Sequence, residues 1–229
     1  MDDILELACL KYDGKLTRQA AKRGLRRRDR KVRLEMDSFN HIAVFAEELV
    51  EEFPSARFIL TVREPCSWLK SMINQHLRVD VSARPFAERL RHLFFSPPGV
   101  AFGRGEEELQ RLGLFPIEGY LRGWSERYDH ILDVVPRSRL LVIRTECLVE
   151  SADQLAAFLS IPADSIDVSR SHLHSAPRDF GVFDRLPQDL VEDRVHAHCA
   201  ATLERLDRFI GAQMPADGEA HQSAAMFHE

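Results

Sequence analysis

Apolar residues recur at Ile42, Phe45, Ala46, Leu49, Val50 and Phe53, the i, i+3, i+4, i+7 spacing that gives a helix one buried face. Ser38 or Asn40 is placed to cap that helix. A Phe-Pro-Ser-Ala turn follows, and residues 58–62 (FILTV) form a short run of β-formers. A strand apolar on both faces belongs in the middle of a parallel sheet covered by helices. Pro65 suits the first turn of the next helix, where its missing N–H costs nothing, and Trp68, Leu69, Met72 and Ile73 supply that helix's buried stripe.

The pattern repeats further on. A helix is predicted around residues 86–95, then a loop signalled by SPPGVAFGRG at 96–105. That loop reads equally as an acceptor-binding lid or as a segment whose apolar residues join the core. A long stripe follows (Ile117, Tyr120, Leu121, Trp124, Tyr128, Ile131, Leu132, Val135), leading into a second strand, RLLVIR, at 139–144. Ser151 and Gln154 match a capping box for a helix through Leu159. A last helix carries Leu190, Val191, Val195, Cys199, Leu203 and Leu206, and a polar tail, 212–229, is expected to be mobile. Strand, crossover helices and strand predict an α/β fold of three layers, a parallel central sheet flanked by helices. Ligands of such sheets bind at the carboxyl ends of the strands.

Composition narrows the class. With 45% hydrophobic and 29% charged residues in 229, the chain reads as one sizeable globular domain. No apolar run approaches a membrane span. The acidic start, MDDILELACL, lacks the basic leader and cleavage site of a secretory signal, which makes the cytoplasm the expected compartment. Four scattered cysteines and two His-x-His pairs give no metal-ligand spacing, so no metal is expected. The net charge of −5 is uneven: residues 22–33 (KRGLRRRDRKVR) hold eight basic residues and one Asp. Such a block can bind a polyanion, or it can be a solvated helix surface. The second reading is favoured and nucleic acid is not expected, because no aromatic residues interleave and the remaining chain is strongly acidic.

Arg63 ends the first predicted strand, where a guanidinium partly withdrawn from water calls for a partner. Glu64 points to the other side of the strand. A bound anion fits the pattern: an arginine fork, the open N-terminus of the helix at Pro65 and the hydroxyl of Ser71 converge on one phosphate. The alternative is an arginine bridged to a carboxylate elsewhere in the fold.

The stretch RFILTVREPCSWLKS, 57–71, resembles the second nucleotide-binding motif of sulfotransferases, which move a sulfuryl group from 3'-phosphoadenosine 5'-phosphosulfate (PAPS) to a hydroxyl or amine acceptor and release PAP. In that family a strand ends in Arg, an acidic or Asn residue and Pro, and a Ser eight positions after the Arg lies on the next helix; both contact the 3'-phosphate. Arg63 and Ser71 match in type and spacing. FAEELVEEFPSARFILTVREP at 45–65 is similar to the helix and strand leading into that motif, and RSRLLVIRTECLVESADQLAAFLSIP at 137–162 to a later family stretch. VSRSHLHSAPRDFG at 168–181 resembles a C-terminal loop that closes over the nucleotide, and the resemblance carries that contact to Arg178.

The departures are specific. The family's first strand and Gly-Thr-Thr turn, which hold the 5'-phosphosulfate, have no counterpart: Gly14, Lys15 and Thr17 follow no apolar strand. Cys147 replaces an Asp, and Thr145 stands where some members place a Tyr. The resemblance thus implies an atypical N-terminal segment, 1–36, ahead of a sulfotransferase-like domain, 37–211. It implies PAPS-dependent transfer to a carbohydrate, glycolipid or small-molecule hydroxyl, with Asp37 or His41 as the activating base unless either is a plain capping or surface residue. The alternative is a catalytically impaired relative that binds PAP or a partner. A kinase-like NTPase is disfavoured because no G-x-x-x-x-G-K-[ST] occurs.

Overall fold

The chain begins with two helices, α1 (Asp2–Tyr12) and α2 (Arg18–Val32), in a computed structural model that describes residues 2–33, 35–170 and 179–213. Thr17 caps α2 by accepting the Ala20 N–H at 3.3 Å. The basic block lies on α2 and faces acids. Lys22 reaches Glu51 at 2.6 Å, Arg26 reaches Glu52 at 2.6 Å, Arg28 reaches Asp37 at 2.8 Å, and Arg18 also pairs with Glu51. Lys31 lies 3.8 Å from Asp3, while Arg23, Arg27, Arg30 and Arg33 form no ion pair among the described residues.

Most of those acids belong to α3 (Ala46–Glu52). The helix expected from Ile42 is split, with a 3₁₀ turn over Asn40–Phe45 ahead of α3. Neither Ser38 nor Asn40 caps it; Asp37 Oδ1 instead accepts the Phe39 N–H at 3.1 Å, so the backbone donor is already satisfied two residues on.

β1 (Phe58–Val62) pairs in parallel with β2 (Leu140–Arg144), Phe58 opposite Leu140 and Val62 opposite Arg144. These two strands are the whole sheet among the described residues. The three-layer central sheet is therefore corrected to a mainly helical fold around a two-stranded parallel pair. The burial says why: β2 is covered along Leu140–Ile143, whereas in β1 only Val62 is buried, Thr61 is exposed and the rest is half-covered. Both strands are sheet edges, but the last helix (Gln188–Gly211) packs on β2 and Gln213 takes its outer edge, bonding Val142 N and O at 2.9 and 3.0 Å, whereas β1 lacks such a cover.

After β1 come α4 (Pro65–Arg78), α5 (Pro85–Phe95), α6 (Glu107–Arg111) and α7 (Ile117–Val134). α7 is the spine of the main core, with Ile117, Tyr120, Leu121 and Trp124 essentially inaccessible. The loop at 96–105 joins that core: Phe102 packs against it, and the buried Glu106 accepts the Ile117 N–H at 2.6 Å and the Gly103 N–H at 2.5 Å. α8 (Ala152–Leu159) follows β2, but Ser151 makes no side-chain cap bond and the expected capping box is not formed. The Ser151 N–H is drawn back to Cys147 O at 2.9 Å, which gives Ser151 a turn conformation in place of an extended one. α9 (Gln188–Gly211) closes the fold along α7, where Asp129 accepts from Thr202 at 2.8 Å and from Arg205 at 2.5 Å. A second apolar cluster joins α1, α2 and α5 through Ile4, Ala8, Leu25, Phe45 and Leu90.

Candidate functional site

The end of β1 is fixed by its main chain. The Tyr128 hydroxyl donates to Thr61 O at 3.2 Å, and Trp124 Nε1 donates to Arg63 O at 3.2 Å. Both donors come from α7, and their rings meet edge to face at 4.6 Å. The backbone of Arg63 is thus tied to the core while its side chain is exposed, with no ion pair or side-chain hydrogen bond among the described residues. The carboxylate alternative for Arg63 is not realised. Its expected partial withdrawal from water is also corrected, because beyond Val62 the sheet has no further cover.

Glu64 revises another expectation. Its carboxylate accepts the N–H groups of Cys66 at 2.9 Å and Ser67 at 2.8 Å, so the N-terminus of α4 is capped, not open. Ser67 is turned inward on the same cap, donating to Glu64 O at 3.0 Å. Ser71, one turn on, is half-buried, and its hydroxyl makes no hydrogen bond among the described residues. An anion beside Arg63 and Ser71 therefore meets a guanidinium and a free hydroxyl, with a carboxylate where helix N–H groups were expected.

The neighbouring side chains of α4 hold the chain that returns from the C-terminal loop. Lys70 Nζ contacts Asp179 at 2.8 Å and Asp184 at 2.9 Å. Asn74 Nδ2 donates to Asp179 Oδ1 at 3.2 Å, and Asn74 Oδ1 accepts the Phe180 N–H at 3.1 Å. The Lys70 ammonium, with the Gly181 N–H, holds the Asp179 carboxyl down at about 2. Arg178 lies outside the described residues, but its neighbour Asp179 is anchored by Lys70 and Asn74 of α4. Sequence reasoning missed Lys70 and Asn74; their one signal was the i, i+3, i+4, i+7 spacing of Ser67, Lys70, Ser71 and Asn74 along one face.

The two candidate bases differ. Asp37 is engaged by Arg28 and by the Phe39 N–H. His41 lies between the rings of Phe39, centroid 5.4 Å away, and Phe94, at 5.9 Å. Its Nδ1 is buried without a hydrogen-bond partner. Burial first, then the guanidiniums of Arg127 and Arg91, lowers its pKa to about 4, so the ring is neutral at pH 7. Asp37 and His41 sit ahead of α3, Arg63 and Ser71 across β1 and α4.

Residues 36–171 match the sulfotransferase domain family, more than half of the chain, taking in Asp37, His41, Arg63 and Ser71 and ending before Arg178. Among curated proteins, the chain is 34% identical over 107 residues to the Ava biosynthesis cluster protein M of Aspergillus versicolor. That stretch is 42% of this chain and 39% of that protein, so the chain spans about two fifths of the relative's length. No solved structure matches the chain.

Proposed function

The chain belongs to the sulfotransferase domain family, and from that membership we propose that it transfers a sulfuryl group from PAPS to a hydroxyl acceptor, with Arg63 and Ser71 on the 3'-phosphate. The observation that carries this reading is the Arg63 guanidinium, free of any acid among the described residues although its own backbone is locked by Trp124. An unpaired guanidinium at the strand end and an unbonded hydroxyl on the helix that follows are suited to a dianion. Lys70 and Asn74 hold the segment that follows Arg178, in keeping with a loop that closes over the nucleotide.

PAPS supplies the activated sulfuryl group. His41 is the less engaged of the two candidate bases, since its imidazole is neutral and lacks a partner at Nδ1 whereas Asp37 is held by Arg28. The acceptor, a carbohydrate, glycolipid or small molecule, would lose its proton to His41 as it takes the sulfuryl group. A second reading, a relative without catalysis that binds PAP or a partner, draws support from Glu64, which takes up the α4 N–H groups that would otherwise meet an anion. Losing one preorganised donor commonly costs ~10² to 10³ in rate.

Calorimetry with PAP tests the site. The native chain is expected to bind, Arg63→Ala to bind about 10- to 100-fold more weakly, and Ser71→Ala about tenfold. Undetectable binding by the native chain, or equal affinity in native and Arg63→Ala, overturns the assignment. Transfer from labelled PAPS to sugars, phenols or glycolipids separates the enzyme from the binder.

A further inference from the structure

The basic residues of α2 fall into two groups. Lys22 and Arg26 turn toward Glu51 and Glu52 of α3, and Arg28 toward Asp37. Arg23, Arg27 and Arg30 stand at i, i+4 and i+7, on the side of the helix opposite the buried Ala21 and Leu25, and all three are exposed. None of them forms an ion pair or a side-chain hydrogen bond among the described residues, and neither does the exposed Arg33 at the end of the helix. Asp29, the one acid of α2, lies on a different side. The outer face of α2 is therefore purely cationic over about 10 Å of helix.

Two observations separate this face from a merely solvated one. The four arginines repel one another with no acid among them, in a chain whose net charge is −5. Apolar side chains also lie open at the same end of α2: Val32 is 41% exposed, and Met36, at 67%, is the most exposed large apolar side chain among the described residues. The Arg28–Asp37 contact at 2.8 Å brings the segment of Met36 back against α2. Leu7, Val32, Arg27 and Lys31 share a small groove between α1 and α2, so apolar and cationic atoms adjoin there too. Guanidinium forks match phosphate and carboxylate oxygens, and neighbouring apolar side chains suit the boundary between lipid headgroups and acyl chains. A nucleic-acid backbone would use the arginines and leave Met36 and Val32 without a role.

We propose that the outer face of α2 docks on an anionic lipid bilayer, with Arg23, Arg27, Arg30 and Arg33 on headgroup phosphates and carboxylates and with Met36 and Val32 entering the interface. A convex helix side meets a plane of headgroups along its length, and the chain is held there peripherally. This surface does not depend on the reading of the chain as a PAPS-binding protein.

Co-sedimentation with lipid vesicles tests it. The native chain should bind phosphatidylcholine vesicles that contain about one-third phosphatidylserine, and should not bind phosphatidylcholine alone. Binding should vanish as salt rises from about 0.1 M to about 1 M, where the screening length falls from about 10 Å to about 3 Å. The triple variant Arg23→Gln, Arg27→Gln, Arg30→Gln should bind about 100-fold more weakly, roughly fivefold per arginine. A charge-matched triple, Arg78→Gln, Arg84→Gln, Arg104→Gln, removes three exposed arginines that form no ion pair among the described residues, and should keep most of the affinity. No binding of anionic vesicles by the native chain, or equal losses in the two triples, overturns the proposal. If the first triple fails to fold, Arg27→Gln alone is read in the same way, with about a fivefold loss expected and no loss refuting. Tighter binding to duplex DNA than to vesicles at equal phosphate concentration assigns the face to nucleic acid and refutes the bilayer. Arg63→Ala should bind vesicles as the native chain does, so failure to bind PAP leaves this experiment intact.

Discussion

Replacing Gly119 by alanine should split the core at one contact. Gly119 lies on α7 where that helix touches the end of α5: a Cβ there would stand 2.0 Å from Phe95 O and 2.9 Å from Phe95 C. These are backbone atoms, so no side-chain rotation relieves the clash. Ordinary contact begins at 3.4 Å, so the two helices must part by roughly the difference, well over 1 Å. Overpacking a core costs about 1–3 kcal/mol and occasionally more, while Ala in place of a helical Gly returns about 1 kcal/mol. The clash is severe enough to put Gly119→Ala at the upper end, a net loss of about 2 kcal/mol or more. Two glycines calibrate it. At Gly123 the nearest atom is Phe94 O at 3.2 Å, which predicts a near-neutral change, and at Gly211 nothing lies within 4 Å, which predicts a small gain. Urea unfolding followed by tryptophan fluorescence gives all three, with unchanged slopes as the check on two-state behaviour. Gly119→Ala as stable as the native chain, or no less stable than Gly123→Ala, would refute the reasoning.

Glu64→Ala should cost about 1 kcal/mol by uncapping α4, and should tighten PAP because a carboxylate leaves the neighbourhood of Arg63 and two helix N–H groups are freed; weaker PAP binding by calorimetry would show that the carboxylate assists the site. Acid should destabilise the fold through His76, which is packed among Phe95, Phe115 and Tyr120, hydrogen-bonded to the Tyr120 hydroxyl at 2.8 Å, and pushed down to about 3 by burial and then by Arg91. Its folded value lies below its unfolded 6.5, so the fold takes up no proton there where the unfolded chain does: stability is full above pH 6.5 and falls as pH drops toward 3. At pH 5 the loss is about 2 kcal/mol, and His76→Phe should remove that part of the difference between denaturation at pH 7 and pH 5. An unchanged difference would contradict it.

The long helices after β1 were legible because their stripes are long: Ile117 through Val135 repeats often enough that tertiary context had nothing to override, whereas α1 and the short α6 were not read as helices. The strands were legible too, but not the width of the sheet, since FILTV has the same composition whether its second edge meets another strand or the side chains of α7. Caps were the weakest reading. Ser38, Asn40 and Ser151 have the right chemistry, yet Asp37 and the Cys147 carbonyl reach the relevant groups first, and only coordinates reveal such competition. Arg63 and Ser71 stood out because their spacing is a short-range feature. Lys70 and Asn74 did not, because their partners lie more than a hundred residues away.

Several cations around the two cores are spent on acids: Lys22 and Arg26 of α2 on α3, Lys70 on Asp179 and Asp184, and Arg205 on Asp129 and Asp133. Arg63, at the strand end, has no such partner among the described residues. An exposed guanidinium works through a field that salt screens over about 8–10 Å, and governs chiefly how fast an anion arrives. An anion drawn to the strand end by Arg63 is then retained by short contacts, for which the half-buried, unbonded hydroxyl of Ser71 is available.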